Sequence, residues 1–333
     1  MSQPIESTLS IDKITHSIQR QYTLLEGHSK DHAGDVQVRP IPNFDLDQTI
    51  FTTLEGKIPR LFMQSKIAKT VHWNADRQQE IDKAYTQLTD KHPSSPIQPE
   101  ILAFMTEYCN FNAEHADGSF LEHLLYGYDY AQLHYPNHSA NVMLLHSILG
   151  TATNTFAMPI EHLDKLAALL SEFEFLHIAA FPSFLRLMYT PEFFQSLKDN
   201  HHRIKDLKGI RFHRVIDNAP MEMDAENLWI QLNYHLMHFV DFLPVANWST
   251  HFSDPLLQMF LQLSNYLDSI GQRQATVNFT PPTTSGQCIG EELSFGSKLS
   301  NWVPISLKMK LTTKSIRRFS SRIGHSMDFT LLW

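Results

Sequence analysis

Ser119-Phe120-Leu121-Glu122-His123-Leu124-Leu125-Tyr126-Gly127-Tyr128-Asp129-Tyr130-Ala131-Gln132-Leu133-His134-Tyr135-Pro136 decides the reading of this chain. Ser119 with Glu122 three positions later is a capping-box pattern, which starts a helix at Phe120, and Pro136 stops it after about Tyr135. Phe120, Leu121, Leu124, Leu125 and Tyr128 share one face at helical spacing. His123, Gly127, Tyr130 and His134 share another. A glycine inside a helix costs about 1 kcal/mol against alanine, so Gly127 predicts close approach of a neighbouring group.

The next segment, Ala140-Asn141-Val142-Met143-Leu144-Leu145-His146-Ser147-Ile148-Leu149, is apolar almost all round and ends at Gly150. It reads as a buried helix capped by Ser139. His146 and Ser147 therefore enter the core and need partners, since an unpaired buried polar group costs roughly 1–3 kcal/mol. A side chain, a water or a metal must satisfy His146.

Outward from this pair the periodicity stays helical. Glu100–Asn110 carries Ile101, Leu102, Met105 and Tyr108 on one face. Pro159 opens a helix over 160–180, and Pro182, Pro191 and Pro220 segment the stretch beyond it. Residues 225–243 place Trp229, Leu232, Leu236, Phe239 and Leu243 on one stripe, and 255–270 form another helix. Residues 100–270 therefore read as an all-α domain with Leu124, Leu144, Leu145, Trp229 and Leu236 in one core. Three prolines in Pro93–Pro99 mark a boundary before it. Residues 1–95 form a partly helical extension. Residues 271–333 read as an irregular, basic tail: 298–333 hold seven Lys and Arg against Asp328 alone. Few apolar contacts would protect that tail, so early tryptic cleavage is expected, and an anionic surface is its candidate partner.

Composition sets the bounds. The chain has 333 residues, 42% hydrophobic and 19% charged, an ordinary globular balance. Twenty-seven basic against 35 acidic residues give a net charge of −8, which argues against nucleic-acid binding by the chain as a whole. The two cysteines, Cys109 and Cys288, are too far apart to form a CxxC metal pair. No apolar run approaches the length of a membrane span, and the first residues lack a signal-peptide pattern, so a cytoplasmic location is expected. Nineteen histidines raise the expectation of a metal or acid–base site without locating it.

Among the histidines, His115, His123 and His146 are the candidate metal ligands, because neutral imidazoles in a group are what a transition metal needs. Ser147 lacks nucleophile-elbow glycines and is no candidate nucleophile. His235, His238 and Asp241 drift off the Trp229 stripe and read as a solvated polar face. His201-His202 reads as an exposed loop, and His162 and His177 as helix-surface residues.

At these residues the chain resembles the HD superfamily of helical metal-dependent phosphohydrolases, over about residues 100–265. The similarity lies in a histidine on one helix, an apolar Leu144-Leu145-His146 turn 23 residues later, and Val245-Ala246-Asn247 beyond the 225–243 helix. More closely, His115, Ser119–Leu124, His146-Ser147-Ile148-Leu149-Gly150-Thr151 and Val245–Asn247 resemble an HD-related domain family with His-Ser-x-x-Gly-Thr in place of His-Asp. The resemblance implies an HD-like helical bundle with a metal or small-ligand pocket. Where HD proteins carry their two cation-binding aspartates, this chain has Ser147 and Asn247. Where the guanosine-tetraphosphate hydrolases carry an acidic pair, it has Gly150 and Thr151. Imidazoles, a hydroxyl and an amide suit zinc, iron or nickel and fit magnesium or manganese poorly. Asp117 and Glu122 are the carboxylates that could substitute. The pocket set implied is His115, Asp117, Glu122, Ser147, Thr151 and Asn247. Three functions stay open: a metal-dependent hydrolase acting on a small polar or phosphorylated ligand, an iron-dependent oxygenase, and a non-catalytic helical module.

Overall fold

The computed structural model describes residues 95–111, 120–242, 255–276 and 302–333. The extension up to residue 94, His115, Asp117, the Ser119 cap and Val245-Ala246-Asn247 lie outside the described residues, as do the side chains of Glu122 and Asp241. The elements in chain order are α1 (Pro99–Tyr108), α2 (Phe120–His134), α3 (Asn141–Leu145), α4 (Leu163–Leu169), α5 (Glu172–Met188), α6 (Pro191–Asp199), β1 (Gly209–His213), β2 (Pro220–Asp224), α7 (Ala225–Phe242), α8 (Pro255–Ser269), α9 (Ile305–Arg322) and β3 (Thr330–Leu332). Short 3-10 turns occupy Ile160–His162 and His201–Asp206.

Helix dominates, and one core holds Leu124, Leu144, Leu145, Trp229 and Leu236 together. The chain is not all-α, however. β1 pairs antiparallel with β2 and with β3, giving the order β2-β1-β3. The alternation that drives β1 spans only five residues: Ile210 and Phe212 are buried while Arg211 is exposed. Phe212 packs edge-on against Phe184 of α5 at 4.9 Å. The hairpin turns through Asn218 at φ 56°, with Arg214 paired to Asp217 at 2.6 Å.

The single helix expected over 160–180 breaks in two. Ser171 caps α5 through a capping box with Glu174, and the other oxygen of Glu174 accepts from Ser139 Oγ at 2.6 Å and Asn141 Nδ2 at 2.8 Å. Burial raises the carboxyl pKa of Glu174, but hydrogen bonds from Ser139, Ser171 and Asn141 outweigh it, so the group is held below its ordinary value. Glu174 thus ties the start of α3 to the start of α5. Pro182 does not end α5 as the sequence predicts. Every residue from His177 to Met188 is buried, and that packing outweighs the lost backbone bond.

α7 lies at the centre of the domain. Trp229, Leu232, Leu236 and Phe239 of its apolar stripe are buried, and so are Gln231, Asn233, His235 and His238; Leu243 lies outside the described residues. Asn233 donates to the carbonyls of Trp229 and Gln272 and accepts from the amides of Gln274 and Ala275, which staples the segment after α8 to α7. The solvated face expected for His235 and His238 is therefore a second buried face. His177 is likewise buried, between Gln231 at 2.8 Å and Asn227 at 3.0 Å, and not on the helix surface. His201 and His202 are exposed, in a 3-10 turn.

The irregular tail is corrected over residues 302–333; residues 277–301 of it lie outside the described residues. Residues 305–322 form an 18-residue helix, with Ile316 and Phe319 buried, and β3 completes the sheet. Arg186 of α5 holds this helix in place. Its guanidinium donates to Ser320 Oγ (3.0 Å), the Thr151 carbonyl (2.8 Å) and Asn154 Oδ1 (2.7 Å). Asn154 in turn donates to the Phe319 carbonyl. Burial pulls the guanidinium below its ordinary pKa, and no described carboxylate bonds to it. Arg186→Ala should cost about 3 kcal/mol, because it opens a cavity and leaves three acceptors unsatisfied. It should also speed tryptic cleavage at Arg317, Arg318 and Arg322, as limited proteolysis followed by mass spectrometry would show.

Candidate metal centre

Three imidazoles from three elements meet in the core. His123 lies one turn into α2. His146 comes directly after the last residue of α3, and His238 lies in the last turns of α7. All three are buried, and their ligand nitrogens lie within 4.8 Å of one another. The ring centroids are 4.7 Å apart for His123 and His146, 5.2 Å for His123 and His238, and 4.8 Å for His146 and His238, with edge-on orientations throughout. Phe181 of α5 forms an aromatic wall 4.6 Å from His146 and 5.3 Å from His238.

Local backbone chemistry sets the direction of the His146 ring. α3 ends at Leu145, and His146 sits in the turn beyond it, where its Nδ1 lies 2.6 Å from the Met143 carbonyl. A carbonyl only accepts, so Nδ1 carries the hydrogen and Nε2 presents its lone pair inward. His123 Nε2 lies 2.8 Å from that lone pair and donates to it. A histidine with one nitrogen fixed on a backbone carbonyl and the other lone pair turned inward has the orientation of a metal ligand; here His123 Nε2–H occupies that lone pair, and its proton would have to move to Nδ1 for both rings to ligate. Burial pushes His123 down to about 3 and His146 well below its ordinary value, the nearby His123 adding to the second shift. At neutral pH the imidazoles of both are therefore neutral, the state that binds metal.

Gly127 lets α2 approach α3. A Cβ there would stand 3.2 Å from both the Met143 carbonyl oxygen and the Met143 Cε. The carbonyl cannot yield, because it also accepts from His146. Gly127→Ala should therefore destabilise the fold by about 1–3 kcal/mol and spread His123 from His146. Denaturant unfolding measures the first effect and zinc calorimetry the second.

The candidate residues do not all converge. His123 and His146 come together, and His238 joins them. His115 lies outside the described residues. Ser147 and Thr151 are buried. Thr151 is occupied within its own loop: its hydroxyl accepts from the amides of Thr153 and Thr155, and its carbonyl takes Arg186. His235 packs against Phe181 with ring centroids 3.9 Å apart and the rings tilted at 37°, and its Nε2 meets Gln231 Nε2 at 3.2 Å. It flanks the three imidazoles without joining their nitrogens.

An ion bound to three imidazoles at about 2.05 Å in tetrahedral geometry holds them about 3.3 Å apart. The His123–His146 separation of 2.8 Å is a hydrogen-bond distance, while the group as a whole lies within 4.8 Å, so that pair would have to open by about half an ångström and the wider separations to close before an ion could sit among them. Among the described residues the donor set is neutral nitrogen alone, the kind of set that zinc, nickel or iron accepts more readily than magnesium or manganese. Comparison with family models, with curated proteins and with solved structures finds no match.

Proposed function

We propose that this chain is a helical metal protein in which His123, His146 and His238 hold a borderline divalent ion of the zinc class. The observation that carries the reading is the locked His146 ring, with Nδ1 on the Met143 carbonyl and Nε2 aimed at two further buried imidazoles. The order of the motifs supports placing the frame with divergent HD-type bundles, whose histidines would be retained while Ser147 and Asn247 replace the aspartates. A bound ion would supply Lewis acidity and activate water toward a small polar or phosphorylated ligand. The chain's own part is to keep the imidazoles neutral, exclude solvent and fix their direction. Phe181 contributes to the dry wall.

A second reading rests on the same 2.8 Å contact. His123 and His146 satisfy each other without a metal, which is what a non-catalytic descendant would keep as a hydrogen-bond network. Metal analysis of the purified chain, combined with zinc calorimetry, separates the two. One equivalent of tightly bound zinc supports the metal centre, and no binding supports the network. Ser147→Asp combined with Asn247→Asp adds two anionic oxygens, and a gain in manganese affinity would support the HD-type placement.

A further inference from the structure

We propose that the outer side of α9 is a docking surface for an anionic membrane leaflet, on which the helix lies flat. Five large hydrophobic side chains are exposed among the described residues, and four belong to this helix and its immediate flanks: Trp302 (87% exposed), Leu307 (47%), Leu311 (38%) and Ile323 (38%). The same stretch has no Asp or Glu from Trp302 to Met327, while Lys310, Lys314 and Arg318 are exposed on it. Leu307, Leu311, Lys314 and Arg318 succeed one another at helical spacing, so leucines and cations share a single outward stripe.

The inner side of α9 is already engaged. Ile316 and Phe319 face the core, Thr313 Oγ1 donates to the Tyr189 carbonyl at 2.6 Å, and Arg186 holds Ser320. The outer stripe is thus displayed by a firmly seated helix. Its chemistry is that of an interfacial helix: an indole at headgroup level, leucines entering the acyl boundary, and long basic side chains reaching phosphates. No described helix is long and apolar enough to cross a membrane, so α9 lies on the surface.

Charge selects the partner. The chain carries −8 overall, yet residues 302–333 carry six basic groups against Asp328. That segregation orients an acidic protein with one face toward a negative surface. A symmetric contact between two copies through α9 would set like charges against each other. A nucleic acid would use the cations but leave the leucines in water.

Flotation of the full chain with vesicles tests this. Binding is expected to vesicles of phosphatidylcholine mixed with phosphatidylserine and not to phosphatidylcholine alone, and it should fall as salt rises. Joint replacement Lys310→Gln, Lys314→Gln and Arg318→Gln should weaken it by about 100-fold, at about fivefold per charge. Leu307→Gln with Leu311→Gln should weaken it by at least about tenfold. All five positions are exposed, so circular dichroism should be unchanged. A blue shift of fluorescence on vesicle binding that disappears in Trp302→Phe would place the indole in the interface. Equal binding to both vesicle types, no binding to either, or a triple variant that binds like the native chain overturns the proposal. So does salt-sensitive capture of an oligonucleotide without capture of vesicles.

Discussion

On the metal reading proposed above, replacing His146 by alanine should abolish zinc binding, with a fall in affinity of about 300-fold or more. A structural zinc site is worth about 10–16 kcal/mol over four ligands, so one imidazole accounts for roughly 3–4 kcal/mol. His238→Ala and His123→Ala should act alike, because the three nitrogens lie within one 4.8 Å group. His202→Ala, on an exposed turn, should change nothing. Ser147→Ala should weaken binding by less than tenfold, since a hydroxyl is at most an auxiliary donor. His146→Gln preserves most of the volume and separates loss of a ligand from loss of packing. Titration calorimetry gives the affinities. The zinc-dependent rise in melting temperature is an independent reading, because a ligand of the folded state alone stabilises by mass action. Retention of native affinity in His238→Ala would remove α7 from the site.

Acid should unfold the chain cooperatively near pH 5. His123 has its folded pKa lowered from 6.5 to about 3 by burial. Between those values the unfolded chain binds the proton and the folded chain does not, so stability falls as pH falls. At pH 4.5 this one residue should cost about 3 kcal/mol relative to neutral pH. His146 and His235 are displaced in the same direction, both chiefly by burial. His134 and His325 are lowered to about 4, again mainly by burial. All of these act in the same direction, against a total stability of about 5–15 kcal/mol for an ordinary domain. His123→Gln should move the acid midpoint down, because it removes one group that must be charged. Saturating zinc should do the same, since ion and proton compete for the same nitrogens. Far-UV circular dichroism against pH measures each midpoint, and a chain stable at pH 4 would contradict the buried neutral assignment.

How much of this is legible in the sequence differs from element to element. α2 and the burial of His146 come from helical spacing and from the apolar run around it. Gly127 announces a close approach, and Met143 makes it. His238 is misread when only one stripe of α7 is considered. A signal is there: Leu228–Phe239 contains no Asp, Glu, Lys or Arg, and a solvated helical face seldom runs twelve residues without charge. The sheet escapes sequence reading because five-residue strands with Arg and His at alternate places give too short a period. α9 escapes it because net charge hides the spacing of Ile305, Met309, Ile316 and Phe319. Nothing local shows that Arg186, deep in an apolar helix, finds its acceptors on a loop and on a helix 134 residues away.

The way β3 closes the sheet also bears on how the chain folds. β1 and β2 form a local hairpin, but the second partner of β1 is the segment Thr330–Leu332, and Lys208 meets the Trp333 carbonyl across a separation of 125 residues. Loop closure over that length is entropically costly and slows folding. Until β3 arrives, β1 presents an open edge with unpaired amides and carbonyls, the feature that draws other chains into intermolecular pairing. The period before β3 docks is therefore when this protein is most exposed to aggregation. Its refolding yield should fall with concentration more steeply than its native stability alone suggests.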